Sequence, residues 1–435
     1  MSSSTSPTCS QSRSACSLGE SMSELYESVL LQGENLPLGW NLSPLRELLQ
    51  PKGLAIGVMY PGEHDPDGIP VVRVKDMRDG RILNSEVFRV AASVEQKHAG
   101  ARFRGGEVLL SLVGSVGRVA VVPPELAGWN TVRAIAVLRL TPRVSSNWVK
   151  LCLSSEPVQQ FIRTRLNTTV QATLNLRDVR EIPIVIPPDR DRDAISNLML
   201  ALDDKIAVNE RIATISLELA DIKFDVAARD TKFGPETFGS VATVAGGGTP
   251  RTTVEEFWGG EFAWTTPTDV TALSAPYLFQ TSRSITSSGL ENCASQLYPA
   301  RSIFMTSRAT IGAFALPQIP AAVNQGFIVV LPPNEHMRWW LLHEMRSRLD
   351  EMTSLANGST FLELSRKNFK AMPIRLPSAE IIAEFANFAE PLHDRAAQAV
   401  AESRAVAELR DTLLPQLMSG RLRVKDAEKL VEDAT

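Results

Sequence analysis

The sequence predicts an α+β chain made of one plan used twice, a mixed α/β globular domain followed by a long helix. Three observations predict it. The first is an internal repeat. Ile195, Leu198, Leu202, Asp204 and Lys205 return 190 residues later as Phe385, Phe388, Leu392, Asp394 and Arg395. At the same offset Glu218, Leu219 and Asp221 become Glu408, Leu409 and Asp411, and Ile182-Pro183-Ile184 becomes Met372-Pro373-Ile374. A long repeat governs how the rest of a chain is read. The second observation is that each half opens with short β-branched runs bounded by Gly and Pro. The third is an apolar stripe, stepping by three and four residues, that closes each half. Two copies imply a molecule with approximate two-fold symmetry, suited to a target in two separated parts.

The elements follow in order. Met1 to Gly19 is Ser-rich with no apolar core, so 1–35 reads as a disordered tail, and Met22 is an alternative start. In 36–188 the strands are Ile69 to Val74, Val108 to Leu112, Val119 to Val122, Ala134 to Leu140 and Ile182 to Ile186, with a helix over Trp148 to Arg165. In 234–380 their equivalents are Phe262 to Thr265, Ile303 to Thr306, Ala313 to Leu316, Phe327 to Leu331 and Met372 to Leu376, with a helix over Met337 to Leu355. Between these halves the offset drifts from 196 to 190. Drift means insertions, and insertions sit in loops. The two copies therefore share a scaffold and differ in their loops.

The segments 189–233 and 381–424 read as long helices, and 425–435 as a short tail. The first stripe runs Ile195, Leu198, Leu202, Ile206, Asn209, Ile212, Ile215, Leu219, Ile222, Val226. The second runs Phe385, Phe388, Leu392, Ala396, Ala399, Val406, Leu409, Leu413, with an Ala-rich middle that admits a close partner. Stripes of this length pair as coiled coils, and a buried Asn209 would fix register; an exposed Asn at a fraying stretch is the alternative.

Composition narrows the function classes. No apolar run reaches the roughly 20 residues of a membrane span. Cys9, Cys16, Cys152 and Cys293 lack metal-ligand spacing, as do His64, His98, His336, His343 and His393. Free thiols in a reduced, cytoplasmic protein are the expectation. The net charge of −4 is unevenly spread. Residues 37–188 carry 19 Lys and Arg against 13 Asp and Glu, whereas 234–380 carry 11 against 12. Local charge, not the total, governs affinity for nucleic acid.

Several pieces together resemble the specificity subunit of type I restriction–modification enzymes. The most specific is Leu409-Arg410-Asp411-Thr412-Leu413-Leu414-Pro415-Gln416-Leu417-Met418-Ser419-Gly420-Arg421-Leu422-Arg423-Val424. Leu36-Pro37-Leu38-Gly39-Trp40, Gly247-Gly248-Thr249-Pro250 and Ile69 to Met77 support it. The resemblance covers Leu36 to Val424. It implies two target-recognition domains separated by two long antiparallel coiled-coil helices. Each domain would read half of a bipartite site on double-stranded DNA. The helices would set the gap and dock two modification (methyltransferase) subunits, with restriction subunits completing the complex. The alternative from another class is a duplicated coiled-coil scaffold that binds proteins and no DNA.

No catalytic motif, cofactor or metal set is expected. Gly246-Gly247-Gly248 is followed by Thr249-Pro250 and not by a helix, and Pro187-Pro188 lacks the flanking residues of a methyltransferase base pocket. Asp189 with Asp203-Asp204-Lys205 matches a nuclease motif in spelling only, because the latter three fall inside a long helix. The phosphate-cradling Gly/Lys motif is absent as well. Arg and Lys reach guanine edges and phosphates, and Asn and Gln pair with adenine edges. The candidate contacts are Arg73, Lys75, Arg78, Arg81, Arg102, Arg104, Arg118, Asn130 and Arg133 in the first half. In the second they are Arg283, Arg301, Arg308, Asn324 and Gln325. Asn130 and Asn324 hold matched places, where a turn cap competes with a base reader. Trp40, Trp148, Trp264 and Trp340 are expected in the core.

Overall fold

The computed structural model describes residues 36–78, 80–83, 86–167, 171–357 and 362–434. The tail over 1–35, with Cys9, Cys16 and Met22, lies outside them. The chain divides into two compact units, Met1–Leu202 with Leu409–Thr435, and Asp203–Glu408. The division falls within both long helices.

The first unit runs β1 (Asn41–Pro44), α1 (Leu45–Leu48), β2 (Leu49–Ile56), β3 (Ile69–Val72), β4 (Met77–Arg78), β5 (Arg81–Ile82), β6 (Phe88–Val90) and α2 (Ala92–Glu95). It continues with β7 (Val108–Ser111), β8 (Val119–Val121), β9 (Asn130–Thr131), β10 (Ile135–Leu140), α3 (Ser146–Ser154), α4 (Glu156–Thr164), α5 (Leu176–Arg180) and β11 (Pro183–Ile186), then enters α6 (Asp189–Ala228). Its main sheet has the order β2-β10-β7-β8; a second sheet is β6-β3-β9, and β1 pairs with β11. Every residue of Val108–Ser111 is buried, so this strand is apolar on both faces instead of alternating.

The second unit repeats this wiring. It contains β12 (Phe233–Thr237), α7 (Phe238–Val241), β13 (Thr243–Ala245), β14 (Trp258–Thr265), α8 (Pro267–Thr271), β15 (Tyr277–Leu278), β16 (Arg283–Ile285) and α9 (Ser287–Glu291). Next come β17 (Ile303–Thr306), β18 (Phe314–Pro317), β19 (Ala321–Val323), β20 (Phe327–Leu331), α10 (Glu335–Arg346), α11 (Leu349–Ser354), α12 (Arg366–Ala371) and β21 (Pro373–Arg375). The second long helix is α13 (Ala379–Met418), and α14 (Val424–Ala434) ends the chain. The sheets are β13-β20-β17-β18-β15, β16-β14-β19 and the pair β12-β21. Only β15 has no counterpart in the first unit's main sheet.

The repeat extends to single hydrogen bonds. The Ser111 hydroxyl donates to Ser115 O (2.6 Å) and accepts from Arg118 N (2.8 Å). The Thr306 hydroxyl donates to Thr310 O (2.6 Å) and accepts from Ala313 N (2.9 Å). The indole N–H of Trp148 donates to Val185 O and that of Trp340 to Arg375 O. Asp76 accepts from Arg73 N and Asp269 from Thr266 N, both at 2.8 Å. Each pair ties the same two elements in its own unit.

Two expectations need correction. The helices read over Trp148 to Arg165 and Met337 to Leu355 are each broken in two. Pro157 stands in the first turn of α4, where its missing N–H is no loss, and so begins a helix after Ser155. The second break falls between Arg346 and Leu349. The stripe on α6 is also displaced. Asn209, Ala213, Leu217, Ala220 and Phe224 are buried, whereas Ile215, Leu219, Ile222 and Val226 are 42% to 61% exposed. The facing residues of α13 are small: Ala386, Ala389, Ala396 and Ala399 are all buried. Small residues on both helices allow a close approach that Ile and Leu would block. Within the second unit the helices are antiparallel, because Lys205 pairs with Glu402 (2.7 Å) and Lys223 with Glu384 (3.1 Å). Asn209 is on the buried seam and donates to Glu402 (3.0 Å).

Two of the segments that carry the family resemblance, Leu36 to Trp40 and Leu409 to Val424, meet in the first unit. At the end of α13, Gly420 has φ +71, and a Cβ there would lie 2.4 Å from Pro37 Cγ. Glycine adopts that turn without strain and leaves room for Pro37.

Candidate nucleic-acid interface

In the first unit most candidate cations gather on the turn after β3. Arg73 grips Asp76 with two nitrogens, each 2.9 Å from an oxygen, and donates to Glu86 O (2.7 Å). Its guanidinium lies over the Phe88 ring. Lys75 pairs with Glu86 (3.1 Å) at the surface. Arg118 reaches in from the β7–β8 turn and donates to Val74 O (3.2 Å) and Met77 O (3.0 Å). Arg78 and Arg81 face each other across β4–β5. Arg78 and Arg118 line a cavity of about 350 Å³ with Gly117 and Gln159.

A second group is anchored on Glu95, which is fully buried. Arg102 clasps both carboxylate oxygens, and the Asn130 amide donates to Glu95 Oε1 (2.8 Å) and His98 O (3.1 Å). The Arg102 guanidinium, reinforced by Asn130, holds the Glu95 carboxyl below its ordinary range. Asn130 is 0% exposed and braces Glu95 beneath Arg102. Arg104 and Arg133 are exposed and carry no ion pair among the described residues.

In the second unit the Arg283 guanidinium lies 3.5 Å from the centre of the Trp258 ring. Asn324 accepts from Gly326 N (2.8 Å) and is the turn cap that its position allowed. Arg301 is held by the second long helix. It pairs with Glu390 (3.4 Å) and Asp394 on α13, and lies over Trp339, so its charge is directed at the helix. Arg308 and Gln325 are brought together, lining a cavity of about 390 Å³ with Gly247, Glu363, Arg366 and Lys367. Arg308 pairs with Glu363 (2.9 Å), and Gln325 Oε1 accepts from the Thr249 hydroxyl (2.6 Å). Sequence reasoning missed Arg366 and Lys367. The repeat carried a signal, since Leu176-Arg177 in the first copy becomes Arg366-Lys367 in the second.

Trp148, Trp264 and Trp340 are core residues, as expected, whereas Trp40 is only half-buried. No group of His, Cys, Asp and Glu able to hold a metal occurs among the described residues. No described helix is long and apolar enough to cross a membrane.

These features define a class: a duplicated α/β module, each copy continuous with a long helix and bearing its own set of cations and amides. Residues 233–395 match the family model described as type I restriction modification DNA specificity domain. Over these residues the chain is similar to type I restriction–modification specificity domains. It is 34% identical over 142 residues to the type I restriction enzyme MjaIX specificity subunit of Methanocaldococcus jannaschii, covering 32% of this chain and 33% of that protein. It is 24% identical over 164 residues to the EcoBI specificity subunit of Escherichia coli, covering 37% and 34%. The aligned region thus spans about a third of each of these relatives. The crystal structure of a type I restriction–modification S subunit from M. genitalium shares the fold, with TM-score 0.54, 16% identity, and coverage of 88% of this chain and 96% of that one.

Proposed function

We propose that this chain is the non-catalytic DNA-recognition subunit of a type I restriction–modification complex. Each globular half reads one part of a bipartite double-stranded target. One observation carries the reading: a scaffold repeated down to single hydrogen bonds holds different side chains at matched positions in a loop and at the start of a short helix. Where the first copy has Val113 and Leu176, the second has Arg308 and Arg366. Selection for one structural job would keep these positions alike, whereas two half-sites of different sequence require them to differ.

The two copies are related by a pseudo-two-fold, and the helices 189–233 and 381–424 form an antiparallel coiled-coil spacer that sets the gap. The helices also dock two modification subunits, to which restriction subunits attach, in the cytoplasm. Support for docking comes from Val208, Ile215, Leu219, Ile222 and Val226, which form an exposed apolar row on α6 at heptad-like spacing. The test is genome-wide mapping of methylated adenines in cells expressing the chain with its modification partner. A bipartite motif is expected, and replacing 37–188 by the same region of a relative should change one half only. If both halves change together, the two-module reading is wrong.

A further inference from the structure

The second half carries 11 basic against 12 acidic residues, a poor endowment for holding a polyanion. Its cations are concentrated, however. The cavity that contains Arg308 and Gln325 is walled by three cations and one carboxylate, Glu363, which is engaged by Arg308. Arg366 and Lys367 are exposed and have no ion-pair partner among the described residues. Two positive charges are therefore left on a concave surface, within a globular half, residues 234–380, whose overall charge is near zero.

We propose that this cavity is the DNA-reading site of the second unit, with Gln325 addressing a base edge and Arg366 and Lys367 holding backbone phosphates. The inference rests on the DNA-recognition reading above. Three features of the site are built for it. The Thr249 hydroxyl occupies one lone pair of Gln325 Oε1 and fixes the plane of the amide. The second lone pair and the N–H₂ group remain for a two-point contact, the pattern that matches adenine. Arg366 lies flat along the chain at Gly246, where a Cβ would be 2.9 Å from its Nη1, so a glycine there leaves room for the guanidinium. At Gly247 a Cβ would lie 1.9 Å from Val323 O, which holds the Thr249 loop against β19 and beside Gln325. Gly57 packs in the same way on Thr131 O in the first unit. The loop is thus part of the shared scaffold, while the side chains around it are particular to the second copy.

The test uses the full chain assembled with its modification subunits and a duplex carrying the mapped target. Arg366→Gln with Lys367→Gln should leave the recognised sequence unchanged and lower the slope of log affinity on log salt by about 1.8, roughly 0.9 for each lost phosphate contact. Gln325→Glu still accepts from Thr249 but cannot donate. It should cut discrimination by about ten- to a hundredfold at one base pair of the half-site read by the second unit. All substituted side chains are exposed, and melting temperatures matching the parent would show that the fold is intact. An unchanged salt slope and motif in these variants, with the parent complex still selective, would overturn this site and leave the DNA reading standing. A parent complex that fails to select any duplex would overturn both.

Discussion

His343 and His393 form a chain of buried titratable groups that no proposed DNA contact uses. His343 hydrogen-bonds Asp221 (2.6 Å) and His393 (2.9 Å), and His393 hydrogen-bonds Tyr277 (2.8 Å). Arg346 also grips Asp221, and His393 stacks on Trp339 at 4.1 Å. Burial pushes both imidazoles below their ordinary value, and His343 and Arg346 push His393 further down, against the pull of Asp221. The sign follows from linkage. Below about pH 6.5 the unfolded imidazoles bind protons that the folded ones refuse, so stability falls as pH falls. Thermal melts from about pH 8 to pH 5 should show a drop that steepens below 6.5. His393→Phe keeps the ring on Trp339 but leaves Tyr277 and His343 each short of a partner. It should cost about 1–3 kcal/mol at pH 8 and flatten the acid slope. An acid slope equal to the parent's would show that other groups cause it. Thr306 offers a second test at this scale. Thr306→Val removes the hydroxyl that accepts from Ala313 N and should destabilise by about 1–3 kcal/mol in urea titration. A cost near zero would mean that the turn re-satisfies itself.

The long helices show how an element can present two apolar faces with different uses. The face of α6 buried against α13 is small, with Ala213 and Ala220 at its centre, and Phe224 enters the second unit's core beside Trp340 and Phe385. The other face carries Ile215, Leu219 and Ile222 into solvent. Enlarging the first face should force the helices apart. Ala396→Leu is expected to cost about 1–3 kcal/mol. Ile215→Glu with Ile222→Glu should change stability by no more than about 0.5 kcal/mol per site. The same pair should weaken co-purification of modification subunits. Stable variants that still co-purify fully would move the docking face elsewhere.

For the whole molecule, the proposed spacer makes a length prediction. One helical turn of four residues adds about 6 Å, close to two base pairs of duplex. The observed pairing requires the insertion in both helices, because Lys205 and Glu402 must keep their register. Four residues after Arg211 and four after Gln398 should lengthen the tolerated gap by about one or two base pairs and leave both half-sites unchanged. Methylation mapping that returns the original gap would reject the spacer and leave the helices as a docking surface alone.

The sequence by itself determined the duplication, the long helices and most of the central strands. Each of these follows from a period: 190 residues for the copies, three and four for the helices, and short β-branched runs for the strands. It also placed Arg308 and Gln325 among the candidate contacts. What it did not determine was direction. Ile215 and Ala213 lie two residues apart on one helix, and hydropathy favours the wrong one for the interior, because the width of the partner's face decides which side is buried. Asn130 and Arg301 are worded like surface readers, yet each is turned inward by an acidic partner, Glu95 in one case and Glu390 with Asp394 in the other. Arg366 and Lys367 are distant in sequence from Gln325, and only the fold brings them to the same cavity. A contact between segments so far apart leaves no local period to read, so the tertiary structure alone brings these side chains to one cavity.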